Sequence, residues 1–230
     1  SQSGVIQAFN KHGRREMLEW CDKAYDHVQE LDKEFSDWLC VPRSVRTTSI
    51  KPSGTVSLLN GSTPGIHYPE AEYYIRRIRF SVGNVILKAI EEAGYHVEKD
   101  AYSPNTMVAS FPVHEPFFQK GKSEATMWEQ LEIAAAYQHY WADNSVSVTV
   151  TFNGDEAKDI KTALEMYESR LKAVSFLRFQ ETGYEQAPYE PITKEQYEEM
   201  SKNITPIDRI ETEEQGAGTV FCDGDSCEIV

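Results

Sequence analysis

The segment that most restricts the fold is Ser145 to Phe152. Val146, Val148, Val150 and Phe152 alternate with Ser145, Ser147, Thr149 and Thr151, the period of two expected of a strand with one buried face. Gly154-Asp155 breaks that pattern and leads into a helical stretch from Glu156 to Leu171, after which Ala173 to Leu177 reads as another short strand. Strand–helix–strand alternation with long connections indicates an α/β fold with largely parallel strands. The valines should face covering helices. A strand buried on both sides would be apolar throughout, so Ser147 and Thr149 either face a polar interior or are simply tolerated strand residues.

The rest of the chain adds elements to this unit. Residues 14–39 carry apolar side chains at Leu18, Cys21, Tyr25, Val28, Leu31, Phe35 and Trp38 or Leu39, the three-and-four spacing of an amphipathic helix. Pro42 cannot continue it. Ser44 to Ile50 reads as a strand, and Lys51 to Pro69, rich in Gly, Pro, Ser and Thr, as a long structured loop. Glu70 to Phe80 and Val82 to Ala93 read as helices, with Gly94 as the stop of the second. Val97 to Val113 reads as extended segments broken at Pro104, Ala125 to Asp143 as a long helix, and Thr193 as the cap of a short helix ending near Met200. That gives four or five strands, too few to close a barrel. Residues 1–200 should form the folded body and 201–230, polar, acidic and without period, a flexible tail.

Composition excludes several classes. The chain has 230 residues and is 40 % hydrophobic, enough to bury a substantial core. Its net charge of −14 opposes a nucleic-acid groove, because phosphate backbones are held mainly by Lys and Arg. No apolar run approaches the ~20 residues that cross a bilayer, and no stretch reads as a signal peptide. Four cysteines are too few for a disulfide scaffold. Two of them, Cys222 and Cys227, lie within the last nine residues. That placement suggests working thiols in a reducing, cytoplasmic compartment. The first residue is Ser1; trimming or a longer parent polypeptide would each account for it, and the longer parent fits the remaining motifs better.

Two segments carry chemistry. In Thr47 to His67, "TTSIKPSGTVSLLNGSTPGIH", a strand runs into a Gly/Ser/Thr loop whose amide N–H groups and hydroxyls can converge on an anion. Ser53, Gly54, Thr55 and Ser57 would supply the donors, Gly54 lacks the Cβ that blocks close approach, and Lys51 would add charge. The pattern is neither GxxxxGK[ST] nor GxGxxG, so from the residues alone phosphate binding and a plain surface loop both stand. In the tail, "GAGTVFCDGDSCEIV", Cys222 and Cys227 are separated by four residues with Gly224 between them, a short loop that costs little to close. A disordered terminus with inert thiols is the competing reading. Asp223, Asp225 and Glu228 should raise the thiol pKa values, giving slow, selective thiols.

The order of motifs resembles a known family. "KPSGTVSLLNGSTPGIH" is similar to the loop with which class II, adenosylcobalamin-dependent ribonucleoside-triphosphate reductases hold the substrate's phosphates. "HYWADNSVSVTVTF", "LKAVSFL" and "QAPYEPI" resemble the same group in the same order. The resemblance implies the C-terminal portion of a ten-stranded α/β barrel of the ribonucleotide reductase type. It implies that Pro52, Ser53, Gly54, Thr55, Val56 and Ser57 bind substrate phosphate, and that Cys222 and Cys227 form the mobile dithiol that re-reduces the active site. It also implies adenosylcobalamin in the complete enzyme, a ribonucleoside triphosphate substrate, the N-terminal part of the same enzyme as partner, and a thioredoxin-type reductant. No metal site is expected in this piece.

The family's radical cysteine sits in an N-x-C-x-E motif, which does not occur here. It would precede the phosphate loop, so this chain alone is expected to be inactive. Cys21 and Cys40 lack those neighbours and read as structural, and His67 as a satisfied turn residue. A class I diphosphate-reductase fragment also ends in C-x4-C, and a nucleotide-binding module with a redox-sensing tail is the reading from outside the family. The class III glycine-radical pattern is absent.

Overall fold

In the computed structural model the described residues are 1–54, 56–179 and 185–207. Helix α1 (Val5–His12) is followed at Gly13 by the long α2 (Arg14–Leu39). β1 (Tyr73–Ser81), α3 (Val85–Glu92), β2 (His96–Lys99) and β3 (Thr106–His114) come next. Then follow α4 (Met127–Tyr140), β4 (Thr149–Phe152), α5 (Ile160–Tyr167), β5 (Ser175–Arg178), β6 (Tyr189–Pro191) and α6 (Lys194–Ser201).

The expected crossover unit is present. β4 and β5 pair in parallel, Thr149 opposite Ser175 through Phe152 opposite Arg178. Their connection is one 3-10 turn, Gly154–Asp159, followed by α5, shorter than the single helix expected over 156–171. Val146, Val148 and Val150 are buried against α4, while Ser147 and Thr149 are exposed. Helix α4 is buried on most sides, through Met127, Leu131 and Ile133 to Tyr137. It starts at a capping box in which Thr126 accepts from the Glu129 N–H and Glu129 accepts from the Thr126 N–H. Its Gln130 side chain behaves as a strand neighbour: the Thr151 N–H donates to Oε1 (2.9 Å) and Nε2 donates to the Thr151 carbonyl (2.9 Å). α1, α2, α5, Ile50 and Ile66 complete this core.

Four expectations need correction. Glu70 to Phe80 is no helix: β1 occupies most of it, at the centre of a four-stranded sheet of order β2-β3-β1-β6. Tyr73, Tyr74, Ile75, Ile78 and Phe80 are strand formers, and pairing with β3 on one side and β6 on the other overrides a spacing that also fits a helix. All three pairings in that sheet are antiparallel, so the strands are not largely parallel and the described strands number six. Ser44 to Ile50 is irregular except for one parallel bridge between Ile50 and Val146. Helix α1 was not expected at all.

Gly94 stops the segment after α3 at φ +91°, where an added Cβ would sit 2.5 Å from the Asn203 carbonyl oxygen. The Thr205 N–H donates to the Ala93 carbonyl (2.9 Å), so the first residues after α6 pack on the end of α3. The remaining tail, 208–230, lies outside the described residues. At the far end of α2 the apolar stripe is uncovered: Phe35, Trp38 and Leu39 are exposed, Trp38 at 68 %, with Val41 and Val45 beside them.

Candidate functional site

The two sheets meet at a cavity of about 250 Å³. Pro52, Gly54 and Leu58 form one wall, His67 and Tyr68 another, and Tyr74 and Glu115 enter from the antiparallel sheet. Gln130, Thr149, Thr151 and Leu177 close the floor, and Lys122 and Tyr189 stand at the side. A wider groove of about 960 Å³ shares Glu70, Lys122, Thr151, Leu177 and Tyr189 with it. Lys122 Nζ lies 3.6 Å from the Glu70 carboxylate.

The loop is held in shape by its own backbone and by the chain's first residues. Ser53 adopts φ +46°, a left-handed conformation that a side chain rarely takes. Its carbonyl accepts from the Ser57 N–H (3.0 Å), its hydroxyl accepts from the Gly65 N–H (3.2 Å) and bonds the Ser3 hydroxyl (2.6 Å). Gly65, at φ +51°, must be glycine, since a Cβ would lie 2.5 Å from the Lys51 carbonyl oxygen. The Lys51 N–H donates to the Ser1 hydroxyl, the Gly4 N–H to the Thr63 carbonyl and the Val5 N–H to the Gly65 carbonyl.

The six expected phosphate-loop residues therefore divide. Pro52 and Gly54 line the cavity, and a Cβ on Gly54 would meet nothing within 4 Å. The glycine is not needed by the chain's own packing; it leaves space at the cavity wall. Ser53 acts as a brace. Val56 is exposed, and Ser57 is buried with its N–H engaged and its hydroxyl without a hydrogen-bond partner. Thr55, Cys222 and Cys227 lie outside the described residues. Sequence reading singled out none of Leu58, Tyr74, Glu115, Lys122, Gln130 and Tyr189; Leu58 and Tyr189 lie inside segments quoted for their resemblance, and the other four lie in no motif.

Burial sets the electrostatics. Glu115 is 4 % exposed, and burial pushes its carboxyl up to about 7 despite hydrogen bonds from Gln7 and Tyr74. The Tyr74 hydroxyl is pushed far above its ordinary range, first by burial and then by the nearby Glu115 charge. Burial lowers His67, whose Nδ1 lies 3.1 Å from the Pro64 carbonyl while Nε2 accepts from the Thr149 N–H (3.2 Å). Those two bonds fit a neutral ring with its proton on Nδ1, a satisfied residue that ties the loop to β4.

Tyr189 is brought to the cavity by three arginines of β1. Arg76 stacks its guanidinium 4.4 Å from the Tyr189 ring centre and donates to the Pro188 carbonyl. Arg77 donates to the Ala187 carbonyl and pairs with Glu190 at 2.5 Å. Arg79 donates to the Gln186 carbonyl and pairs with Asp100. The "QAPYEPI" segment is thus strapped across the sheet.

Comparison with known proteins places this arrangement. The chain is 41 % identical, over its whole length, to a probable adenosylcobalamin-dependent ribonucleoside-triphosphate reductase of Dictyostelium discoideum, and 41 % identical over 99 % of its length to such a reductase of Euglena gracilis. A crystal structure of a B-12 dependent (class II) ribonucleotide reductase superimposes with a TM-score of 0.77 at 35 % identity, covering 84 % of this chain and 27 % of that one. This chain is homologous to the C-terminal portion of the class II ribonucleotide reductases. It spans about a third of the length of the curated reductases it matches, 31 % and 32 %. A scan against protein-family models matches none. These relatives carry the triphosphate, adenosylcobalamin-dependent reading and give no support to the class I alternative. Among the described residues no helix is long and apolar enough to cross a membrane, and no group of three or more His, Cys, Asp or Glu is placed to hold a metal ion.

Proposed function

We propose that this chain is the part of an adenosylcobalamin-dependent ribonucleoside-triphosphate reductase that holds the substrate's phosphates and delivers reducing electrons. The complete enzyme would convert ribonucleoside triphosphates to 2′-deoxyribonucleoside triphosphates by radical chemistry in the cytoplasm. The observation that carries the reading is the opening of Pro52, Gly54 and Leu58 onto a largely apolar cavity that also presents Lys122, Gln130 and Thr151, in a chain homologous to these reductases. Phosphate oxygens would meet backbone donors around Gly54, with Lys122 as the nearby cation; such fixed donors orient substrate without reorganising. The cavity is too small for a whole nucleotide, so sugar and base would extend into the adjoining groove.

Adenosylcobalamin would supply the radical in the complete enzyme. The tail's role is thiol–disulfide exchange. One of Cys222 and Cys227 attacks the disulfide left in the active site, the second resolves the mixed disulfide, and the two electrons pass inward. A thioredoxin-type dithiol then reduces the resulting Cys222–Cys227 disulfide.

The test joins this chain to the upstream part of the enzyme and measures dATP formed from ATP with adenosylcobalamin. Turnover is expected for the joined enzyme and none for the 230-residue chain alone. Replacing both Cys222 and Cys227 by Ser should abolish thioredoxin-driven turnover while a small dithiol still supports it. Undiminished thioredoxin-driven turnover in that variant overturns the tail's role, and no triphosphate reduction by the joined enzyme overturns the whole reading.

A further inference from the structure

One side chain outside the loop contacts more of the site's framework than the side chain of any described residue of the expected loop. Gln7, on α1, donates from Nε2 to the Gly61 carbonyl (2.9 Å) and to the Glu115 carboxylate, and its Oε1 accepts from the Thr63 N–H (3.2 Å). Both amide protons and one acceptor position are therefore in use. Glu115 also accepts from the Tyr74 hydroxyl, and Tyr74 and Glu115 both line the cavity. Gln7 thus joins three parts: the returning half of the loop at 61–63, the end of β3, and through Glu115 the aromatic wall on β1.

Apart from Gln7, that half is held by backbone bonds, the Gly4 N–H to the Thr63 carbonyl (2.8 Å) and the Ser62 N–H to the Ser57 carbonyl (3.0 Å). Gly61 has φ +62° with open space around it, and the Thr63 hydroxyl is buried with no hydrogen-bond partner. After the 3-10 turn Val56–Asn60 the Gly61 N–H donates to the Leu58 carbonyl (3.2 Å). The bonds at Ser53 fix the start of the loop, and the backbone contacts of Gly4 and Val5 fix its end. Between them, among the described residues, the side-chain hydrogen bonds to the backbone of 56–63 come from Gln7.

We propose that Gln7 is a positioning residue for the substrate-phosphate loop, setting where its donors stand relative to the Tyr74–Glu115 wall. This rests on the loop being the phosphate site, and it goes further by naming a residue that touches no substrate. Gln7 acts by holding Gly61 and Thr63, and its loss changes how well the phosphates are gripped without altering the chemical step.

The experiment compares Gln7→Met, which keeps length and volume but none of the hydrogen bonds, and Gln7→Ala with the parent chain. In the 230-residue chain, amide hydrogen exchange over 56–65 should accelerate by about tenfold or more, the scale of losing one to two net hydrogen bonds, with α4 and the β1–β3 ladder unchanged. In the joined enzyme, KM for the triphosphate should rise by about tenfold while kcat stays within about threefold. Unchanged exchange over 56–65, or acceleration spread evenly over the chain, overturns the proposal, as does unfolding of the Met variant. A fall in kcat at constant KM also overturns it. If the unaltered joined enzyme reduces no triphosphate, the functional reading fails, and the exchange result alone decides whether Gln7 positions the loop.

Discussion

Replacing Glu115 by Gln tests the electrostatics of the site most directly. The carboxyl is buried, and burial raises it from an ordinary value near 4.5 to about 7. A folded-state pKa above the unfolded one means that the folded chain binds the proton more tightly. Stability is then fullest below about pH 4.5 and falls as pH rises to about 7, beyond which the loss is complete. Holding a proton across that range corresponds to roughly 3 kcal/mol, of which about 2 kcal/mol falls between pH 5.5 and 8.5. Glutamine keeps the shape and leaves a carbonyl to accept from Gln7, but it carries no charge. Urea unfolding of both chains at several pH values across that window, with equal slopes required, measures the difference. Relative to the variant, the parent chain should lose about 2 kcal/mol from pH 5.5 to 8.5. Subtraction removes every other titrating group that the two chains share. A difference that stays constant with pH would refute the reasoning, because the carboxyl would then titrate alike in both states.

Three further outcomes follow from the loop and core. Gly54→Ala should leave urea stability within about 0.5 kcal/mol, since the added methyl meets nothing, yet raise the KM for triphosphate of the joined enzyme; unchanged KM would remove Gly54 from the phosphate wall. Gly65→Ala should cost about 2–4 kcal/mol by the same denaturation measurement, combining a strained φ of +51° with a clash against the Lys51 carbonyl. Gln130→Leu should cost about 2–4 kcal/mol, because the N–H and carbonyl of Thr151 lose their partners in the core, and thermal unfolding should show it.

What was legible in the sequence was whatever depends on neighbours along the chain. The alternation at Val146, Val148 and Val150 fixes which face of β4 is buried, the spacing along α2 fixes a helix, and Thr193 caps α6 through its bond from the Gln196 N–H. Failure came where distant partners decide. Tyr73 to Phe80 becomes a strand because β3 and β6 lie on either side of it. Arg76, Arg77 and Arg79 donate to carbonyls of the strap at 186–188, more than a hundred residues along the chain. The loop was recognised as a motif, but not which of its donors were already engaged within the fold. Ser53 illustrates this: its residue type suits an anion, while its position relative to Gly65 and Ser3 makes it a brace.

The uncovered end of α2 has a practical consequence for handling the chain. Phe35, Trp38, Leu39, Val41 and Val45 make a sticky ridge, and at neutral pH a net charge of −14 keeps copies apart by mutual repulsion. That repulsion fades toward the isoelectric point near 4.9 and under high salt. Acidic or salty buffers should therefore turn a dispersed preparation cloudy, so colloidal behaviour limits how far a pH titration of the isolated chain can be carried toward acid.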